Sequence, residues 1–201
     1  MQKQETQWVD AAKAGDLDAF EAIVRAYEAR VYYFVLKLVR NPEDALDLSQ
    51  EVFLRVHRSL SLFRGQSEFS TWIFAIANNL CIDFARKQKR RGRLKLVSIT
   101  DEEEQVRDLP DARYDPVETY ERRALVEALD CALDEITPDL REIFLLREVS
   151  GLSYAEISEL LDVELGTVKS RLARARATLA EKMRSTRNNL NACASNEEKR
   201  R

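Results

Sequence analysis

The chain has 201 residues, of which 45% are hydrophobic and 33% are charged, with only 5 glycines and 4 prolines. This composition favours helices and argues against an all-β fold with many turns. The formal net charge of −3 does not by itself predict nucleic-acid binding. Because no stretch is long and apolar enough for a transmembrane helix and no signal peptide is visible, we expect a cytoplasmic protein without membrane insertion.

Three apolar stripes with helical spacing predict three amphipathic helices in the first half of the chain. The first spans Phe20 to Leu38 and is preceded by the capping carboxylates Asp16 and Asp18. The second opens at Asn41-Pro42, with Asn as the cap and Pro in the first turn. The third follows a glycine turn, and its predicted inward face consists of Phe69, Trp72, Ile73, Ile76, Leu80 and Phe84. With a short N-terminal helix, these predict a helical bundle over residues 1–95.

A basic block ends this bundle and an acidic segment follows it. The block contains Arg86, Lys87, Lys89, Arg90, Arg91, Arg93 and Lys95. Residues 96–118 lose the apolar periodicity, accumulate acids and include Pro110 and Pro116. Such a composition cannot bury a core, so we expect a flexible acidic linker between two small helical domains.

Helical periodicity returns over residues 119–186 and predicts a four-helix domain. Its first helix ends near Ile136, and Thr137-Pro138 opens a short second one. Ser153 and Glu156 have the spacing of a capping box that starts the third helix. A tight turn from Asp162 to Gly166 then leads into a long basic helix. Residues 187–201 are expected to be a disordered tail.

The two helices within residues 151–179, joined by a short glycine-containing turn, predict a helix-turn-helix. Val168, Leu172 and Leu179 fall on the inward face of the second helix, which leaves its cations pointing outward or to the flanks. Arginine and lysine can pair with phosphates, and arginine can read guanine edges in the major groove. The alternative is an ordinary amphipathic helix with a solvated basic face.

No enzymatic or metal centre is expected. His57, the only histidine, is predicted to lie on the surface, and the sequence has no glycine-rich phosphate loop. The cysteines Cys81, Cys131 and Cys193 are far apart, so no zinc site or other cofactor is predicted. Free thiols in a reducing compartment are the favoured interpretation, with a redox role for Cys193 as the alternative.

Several motifs resemble a known family. Residues 151–157 and 166–171 (GLSYAEI and GTVKSR) are similar to region 4 of bacterial RNA polymerase sigma factors of the extracytoplasmic-function (ECF) group, within the sigma-70 family. Residues 44–53 resemble region 2.2 of that family, and residues 63–83 with the basic block resemble regions 2.3 and 2.4. The resemblance covers about residues 10–95 and 117–183, which leaves the predicted linker between the two matching segments.

The resemblance implies a sigma factor that binds the β′ and β subunits of core RNA polymerase and directs transcription from −10 and −35 promoter elements. It implies a stress or envelope regulon controlled by an anti-sigma factor. The implied core-polymerase contacts are Asp44, Asp47, Gln50 and Glu51. The implied −10 contacts are Arg64, Gln66, Ser67, Ser70, Asn79, Asp83, Arg86, Lys87, Arg90 and Arg91. The implied −35 contacts are Thr167, Lys169, Ser170, Arg171, Arg174 and Arg176.

Some of these assignments have plainer alternatives. The acids of residues 44–51 also fit a solvated surface, while Phe53 and Trp72 are expected to be core residues. Glu164 occupies a place where the family often has Ser or Pro, so the phosphate contact at that helix start is in doubt. The linker either mimics nucleic acid in a basic polymerase channel or is simply a solvated strap.

A different class of protein also fits part of the pattern. An autonomous helix-turn-helix regulator, with the N-terminal bundle as a sensing or dimerisation domain, would bind an inverted repeat without polymerase. Specific DNA binding by the isolated chain would favour that regulator.

Overall fold

A computed structural model describes residues 2–92 and 116–198, with side chains described for residues 4–90 and 125–185. Within those ranges every regular element is helical, which confirms the all-α expectation. The elements are α1 (Gln2–Lys13), α2 (Leu17–Val39), α3 (Pro42–Ser59), a 3-10 helix (Leu60–Leu62), α4 (Phe69–Gly92), α5 (Pro116–Glu135), α6 (Pro138–Glu148), α7 (Tyr154–Leu161) and α8 (Leu165–Glu198). None of the described helices has the length and hydropathy needed to cross a bilayer.

Helices α1 to α4 form the predicted N-terminal bundle. Helix α2 lies at its centre and packs against α1, α3 and α4. The side chains that are fully buried there include Ile23, Val31, Phe34, Val35, Ala45, Val52, Val56, Ile73, Phe74 and Ala77. Burial of apolar area on this scale is the main source of stability for a helical bundle.

The ends of these helices are fixed by local capping, as predicted. The Asp16 carboxylate accepts hydrogen bonds from the backbone amides of Asp18 and Ala19, at 2.9 and 3.1 Å. The Asn41 side chain accepts one from the amide of Asp44 at 2.9 Å, directly before Pro42. These contacts satisfy amides that have no partner inside the helix, so they set where α2 and α3 begin.

The predicted inward face of α4 was partly wrong. Trp72, Ile76 and Phe84 are only half-buried. The fully enclosed positions instead extend to Phe74 and Ala77. The helix buries a wider face than one stripe because several elements cover it, and α2 and α3 both pack against it. Trp72 is therefore at the border of the core and not in its centre.

The described residues form two compact units, one combining residues 2–92 with 145–162 and the other combining residues 116–144 with 163–198. Most of the predicted linker, residues 96–118, lies outside the described residues, and its last three residues belong to α5. Helix α8 continues to Glu198, past the point where the sequence predicts a disordered tail.

In the second unit α5 packs against α8. Arg141 is 3% exposed and donates hydrogen bonds to the carbonyl oxygens of Leu133, Asp134 and Ile136, at 2.7, 3.1 and 3.1 Å. It thereby satisfies carbonyls at the end of α5 that lack helical partners. An ion pair between Lys182 and Glu135 joins α8 to the same helix end.

The predicted capping box of α7 is present. The Ser153 hydroxyl accepts from the amide of Glu156 at 3.2 Å, and the Glu156 carboxylate accepts from the amide of Ser153 at 2.8 Å. The same carboxylate accepts a hydrogen bond from the Thr71 hydroxyl at 2.7 Å. Partial burial alone would raise the pKa of Glu156, but the hydrogen bonds from Ser153 and Thr71 outweigh it and lower that pKa.

The turn between α7 and α8 is shorter than predicted. Asp162 ends α7 in the left-handed conformation, with φ of 52°, and α8 starts at Leu165. Gly166 therefore lies in the first turn of α8 and does not form the bend. An aspartate tolerates the left-handed region better than most residues, because its short side chain can hydrogen-bond locally.

Candidate nucleic-acid interface

One face of α3 is buried and the opposite face is polar and open. Ala45, Ser49, Val52 and Val56 point into the bundle. The residues predicted to meet core polymerase lie away from that stripe. Asp47 and Gln50 are exposed, while Asp44 and Glu51 are half-buried. The structure thus places the four predicted residues on one continuous outer surface of α3, where Glu51 pairs with Arg55 at 2.9 Å.

Leu54 lies on this same face and was not predicted as a contact residue from the sequence. Its side chain is 51% exposed, one helical turn after Gln50 and almost two turns after Asp47. Side chains three and four positions apart are neighbours on a helix, so Leu54 adjoins the polar pair. The sequence could have indicated it, because Leu54 is an apolar residue that lies outside the predicted inward face of α3.

The loop between the 3-10 helix and α4, residues 63–68, carries several of the predicted −10 contacts; we call it the reading loop. Arg64 and Gln66 are exposed, whereas Ser67 and Ser70 are half-buried. Gly65 bends the loop with φ of +69°, a conformation that L side chains rarely adopt. The donors of Arg64 and Gln66 are therefore turned towards solvent.

The remaining −10 candidates follow along α4. Four of these side chains form an exposed row: Asn79, Asp83, Arg86 and Arg90. They lie on the side of α4 opposite its buried residues, which include Ile73, Phe74, Ala77 and Cys81. They span about 16 Å along the helix at about 1.5 Å per residue. Asp83 pairs with Arg86 at 3.8 Å. Lys87 is exposed beside this row, and the side chain of Arg91 lies outside the described residues.

A shallow cavity of about 320 Å³ opens between α3 and α4 next to Asn79. Arg55, Arg58, Ser59 and Ile76 line the rest of it. The cavity therefore combines an amide, a hydroxyl and two guanidinium groups, which are hydrogen-bonding groups suited to a nucleotide. Neither arginine was selected from the sequence, since both lie on the helix assigned to polymerase contact.

Helix α8 carries the predicted −35 contacts on three sides. Val168, Leu172, Ala175 and Leu179 are buried. The residues predicted to contact DNA lie around the remaining circumference, where Lys169, Ser170, Arg174 and Arg176 are exposed and Thr167 and Arg171 are half-buried. On the wheel of the helix, Ser170 and Arg174 point directly away from the buried stripe, with Lys169 and Arg176 to one flank.

Arg171 lies on the flank of α8 opposite Lys169 and Arg176, and it forms an ion pair with another helix. Its guanidinium lies 3.7 Å from the Asp139 carboxylate, and the side chain is 33% exposed. This ion pair orients the arginine along the edge of the helix, towards α6. Glu164, the residue in doubt, is exposed directly before α8, and its carbonyl accepts the first two helical bonds, from Thr167 and Val168.

Histidine and cysteine side chains within residues 4–90 and 125–185 lie apart from one another. His57 is exposed and its ring stands edge-on to Phe20, with 4.9 Å between centroids. Cys81 is buried, Cys131 is exposed, and the side chain of Cys193 lies outside the described residues. Among the side chains that the structure describes, no group of His, Cys, Asp and Glu is placed to hold a metal ion.

Comparison with known proteins identifies two segments of the chain that match known families. Residues 23–91 match the family described as Sigma-70 region 2, and residues 126–179 match Sigma-70, region 4. The RNA polymerase sigma-H factor of Pseudomonas aeruginosa is 32% identical over 184 residues, which cover 89% of this chain and 93% of that protein. The ECF RNA polymerase sigma factor SigE of Mycolicibacterium smegmatis is 35% identical over 165 residues, which cover 82% of this chain but 62% of that longer protein.

Solved structures show the same fold. The sigma factor RpoE of Bartonella quintana, solved in complex with the anti-sigma factor NepR, aligns over 82% of this chain and 96% of its own, with a TM-score of 0.63 and 23% identity. CnrH, solved in complex with the cytosolic domain of CnrY, covers 90% of this chain and 98% of its own, with a TM-score of 0.59 and 19% identity.

Proposed function

The chain belongs to the sigma-70 family of RNA polymerase sigma factors, in its ECF group, and from this premise we propose which surfaces carry out promoter recognition. A sigma factor directs RNA polymerase to promoter DNA and enables transcription to start. We assign residues 1–95 to core-polymerase and −10 binding, residues 119–186 to −35 binding, and the acidic segment 96–118 to the linker between them. Because core RNA polymerase is its partner, the proposed place of action is the cytoplasm.

The outer face of α3 is the proposed contact to core polymerase, through the β′ subunit; the β subunit is proposed as a further partner. Asp47 and Gln50 offer polar groups to a basic surface, and the exposed Leu54 adds an apolar anchor between them and the end of the helix. A protein interface commonly combines such an apolar centre with a polar rim. The exposure of Leu54 is accounted for if a partner covers it.

The exposed row on α4 carries the proposal for the −10 element. Opening of DNA requires groups that hold unstacked bases and a cationic track for the backbone. Asn79 offers the base-reading amide beside the cavity, and Arg86 and Arg90 follow it as phosphate contacts. The single observation that supports this most strongly is that all of them share one surface of α4 with the half-buried Trp72.

For the −35 element, the proposed reading groups are those that point away from the core of the second domain. Ser170 and Arg174 lie there, next to small side chains that allow close approach to a groove. Lys169, Arg171 and Arg176 on the flanks are proposed to contact phosphates. The ion pair of Arg171 with Asp139 supports a positioning role for that arginine.

Control by an anti-sigma factor is also proposed. The relative RpoE was solved with such a partner. In this chain Leu125 and Val126 of α5 are 59% and 49% exposed, which leaves an apolar surface in the second domain for a partner to cover. A stress or envelope regulon is the proposed target of this control.

The test is run-off transcription with purified core enzyme on a library of genomic fragments, using two variants that control for each other. Asn79→Ala should reduce open-complex formation about 5- to 150-fold, the equivalent of one lost base contact, and leave co-purification with core unchanged. Leu54→Ser should weaken core binding and leave the preference among −10 sequences unchanged. If both variants behave alike, or if the chain starts no transcription, the assignment fails.

The same material separates this function from that of an autonomous regulator. A gel-shift assay on the promoters recovered should detect sequence-specific binding only when core enzyme is present. Specific binding of an inverted repeat by the chain alone would favour the regulator instead.

A further inference from the structure

Helix α1 lies outside the segment that matches the family, residues 23–91, yet it contacts the reading loop. The ammonium group of Lys13, the last residue of α1, lies over the ring of Phe63 at 5.1 Å from its centroid. Lys13 is exposed and makes no ion pair with the described residues. Its position over an aromatic face is the geometry of a cation–π interaction.

Both ends of the reading loop join one aromatic cluster. Phe63 precedes the exposed part of the loop and Phe69 follows it, and their ring centroids are 5.3 Å apart in an edge-to-face arrangement. Trp72 lies 5.2 Å from Phe63 and 5.7 Å from Phe69. The loop is therefore closed at its base, and the position of its exposed donors depends on how firmly this cluster is held.

Helix α1 also reaches the other end of the cluster, through Tyr27. The hydroxyl of Tyr27 donates a hydrogen bond to the carboxylate of Glu5 on α1, and its ring lies 6.0 Å from that of Phe69. Burial, followed by the hydrogen bond to Glu5, raises the pKa of Tyr27, so the phenol remains the donor. Contacts from the two ends of α1 thus converge on Phe63 and Phe69.

We propose that α1 braces the reading loop, with Lys13 as a positioning residue for −10 recognition. This rests on the proposed function of the loop. Lys13 acts through Phe63: it holds that ring against Trp72 and so fixes where Arg64 and Gln66 emerge. The role is distinct from a phosphate contact, which an exposed lysine near DNA would otherwise be expected to make.

The experiment compares Lys13→Met, which keeps an unbranched side chain only one atom shorter and removes its charge, with Lys13→Arg, which keeps the cation. Gln7→Ala, at an exposed position on the same helix, is the matched control. Run-off transcription with core enzyme measures the ratio of output from two promoters that differ only in the −10 element. Lys13→Met should lower that ratio about two- to fivefold, the scale of an exposed cation–π contact, while Lys13→Arg and Gln7→Ala retain it.

A second measurement uses the chain alone and does not depend on transcription. In a Trp8→Phe background, Trp72 is the remaining tryptophan, and Lys13→Met should increase its quenching by acrylamide. Quenching that stays unchanged overturns the brace, even if transcription falls. Quenching that rises in a chain unable to start transcription with core would retain the brace and reject the proposed function.

The salt dependence of promoter binding distinguishes the brace from a direct DNA contact. For the chain bound to core enzyme, the loss of one phosphate contact makes the negative slope of log affinity against log salt about 0.9 less steep, uniformly for all promoters. If α1 braces the reading loop, Lys13→Met and wild type should show the same slope, while the variant discriminates less well between −10 elements. A reduced slope with unaltered discrimination would show that Lys13 contacts phosphate and would overturn the proposal.

Discussion

Replacement of Arg141 should destabilise the second domain severely, although the residue touches no proposed ligand. Its buried guanidinium binds three backbone carbonyls at the end of α5. Hydrogen bonds to a charged group contribute about 1.5–3 kcal/mol each, and water entering the space left by alanine would restore part of that. The expected loss for Arg141→Ala is therefore about 3–5 kcal/mol, a large share of the roughly 5–15 kcal/mol that stabilises a typical domain.

Arg141→Lys keeps the positive charge but replaces the planar fork by one point donor, so an intermediate loss of about 1–3 kcal/mol is expected. Arg25→Ala provides the control, because Arg25 is exposed and its ion pair with Glu21 lies within one turn of α2. An exposed pair of this kind contributes about 0–1 kcal/mol. Of the two arginines, only Arg141 should therefore cause a large loss in the free energy of unfolding when it is replaced.

The assay is urea unfolding of the full chain, followed by two signals. Both tryptophans, Trp8 and Trp72, lie in α1 and α4, so their fluorescence reports the N-terminal bundle. The circular dichroism signal of helices reports the helical content of the whole chain and therefore also the unfolding of α5 and α8. Arg141→Ala should shift the second signal to lower urea and leave the fluorescence midpoint in place. A midpoint unchanged in both signals, or a loss no larger than that of Arg25→Ala, would refute the reasoning.

Two further predictions follow from single side chains. Asn78 is fully buried in α4, and neither polar atom of its amide has a hydrogen-bond partner among the described residues. Asn78→Val removes the desolvation cost of this amide and should therefore raise the free energy of unfolding by about 1–2 kcal/mol. A lower melting temperature in thermal denaturation would contradict this. Arg174→Ala should reduce discrimination among −35 sequences by about 1–3 kcal/mol, whereas Arg171→Ala should weaken binding to all −35 sequences alike. Competition between promoters for the chain bound to core enzyme measures both effects. Equal loss of discrimination in both variants would show that Arg171 also reads bases.

Local signals in the sequence predicted most of the helix boundaries. Asp16, Asn41 and the pair Ser153 and Glu156 cap their helices through contacts within three residues, so sequence spacing alone determines them. The turn before α8 was predicted less accurately: it was expected to extend to Gly166, whereas Asp162 ends α7 in the left-handed conformation and α8 already begins at Leu165. Propensity ranks glycine first for that conformation but does not exclude aspartate.

Features that depend on distant residues could not be predicted in this way. The inward face of α4 was assigned as a single stripe, yet Phe74 is as deeply buried as Ile73, because more than one element covers the helix. Arg141 resembles any surface arginine in the sequence, and only the fold brings it to the end of α5. Likewise, the sequence spacing within α8 does not indicate that Arg171 and Arg174 have different environments. The difference comes from Asp139, which belongs to another helix.

The low net charge and the proposed binding to DNA are compatible because electrostatic attraction is local in salt solution. At physiological ionic strength charges are screened over about 8 Å, so a phosphate near Arg86 or Arg90 responds to the cations beside it and hardly to the chain total of −3. Each cationic surface is nevertheless small, and the chain as a whole has no long-range attraction for DNA. Strong binding by the free protein is therefore not expected. Polymerase, by holding both domains on one promoter, would add the two weak contacts together, as linked sites do.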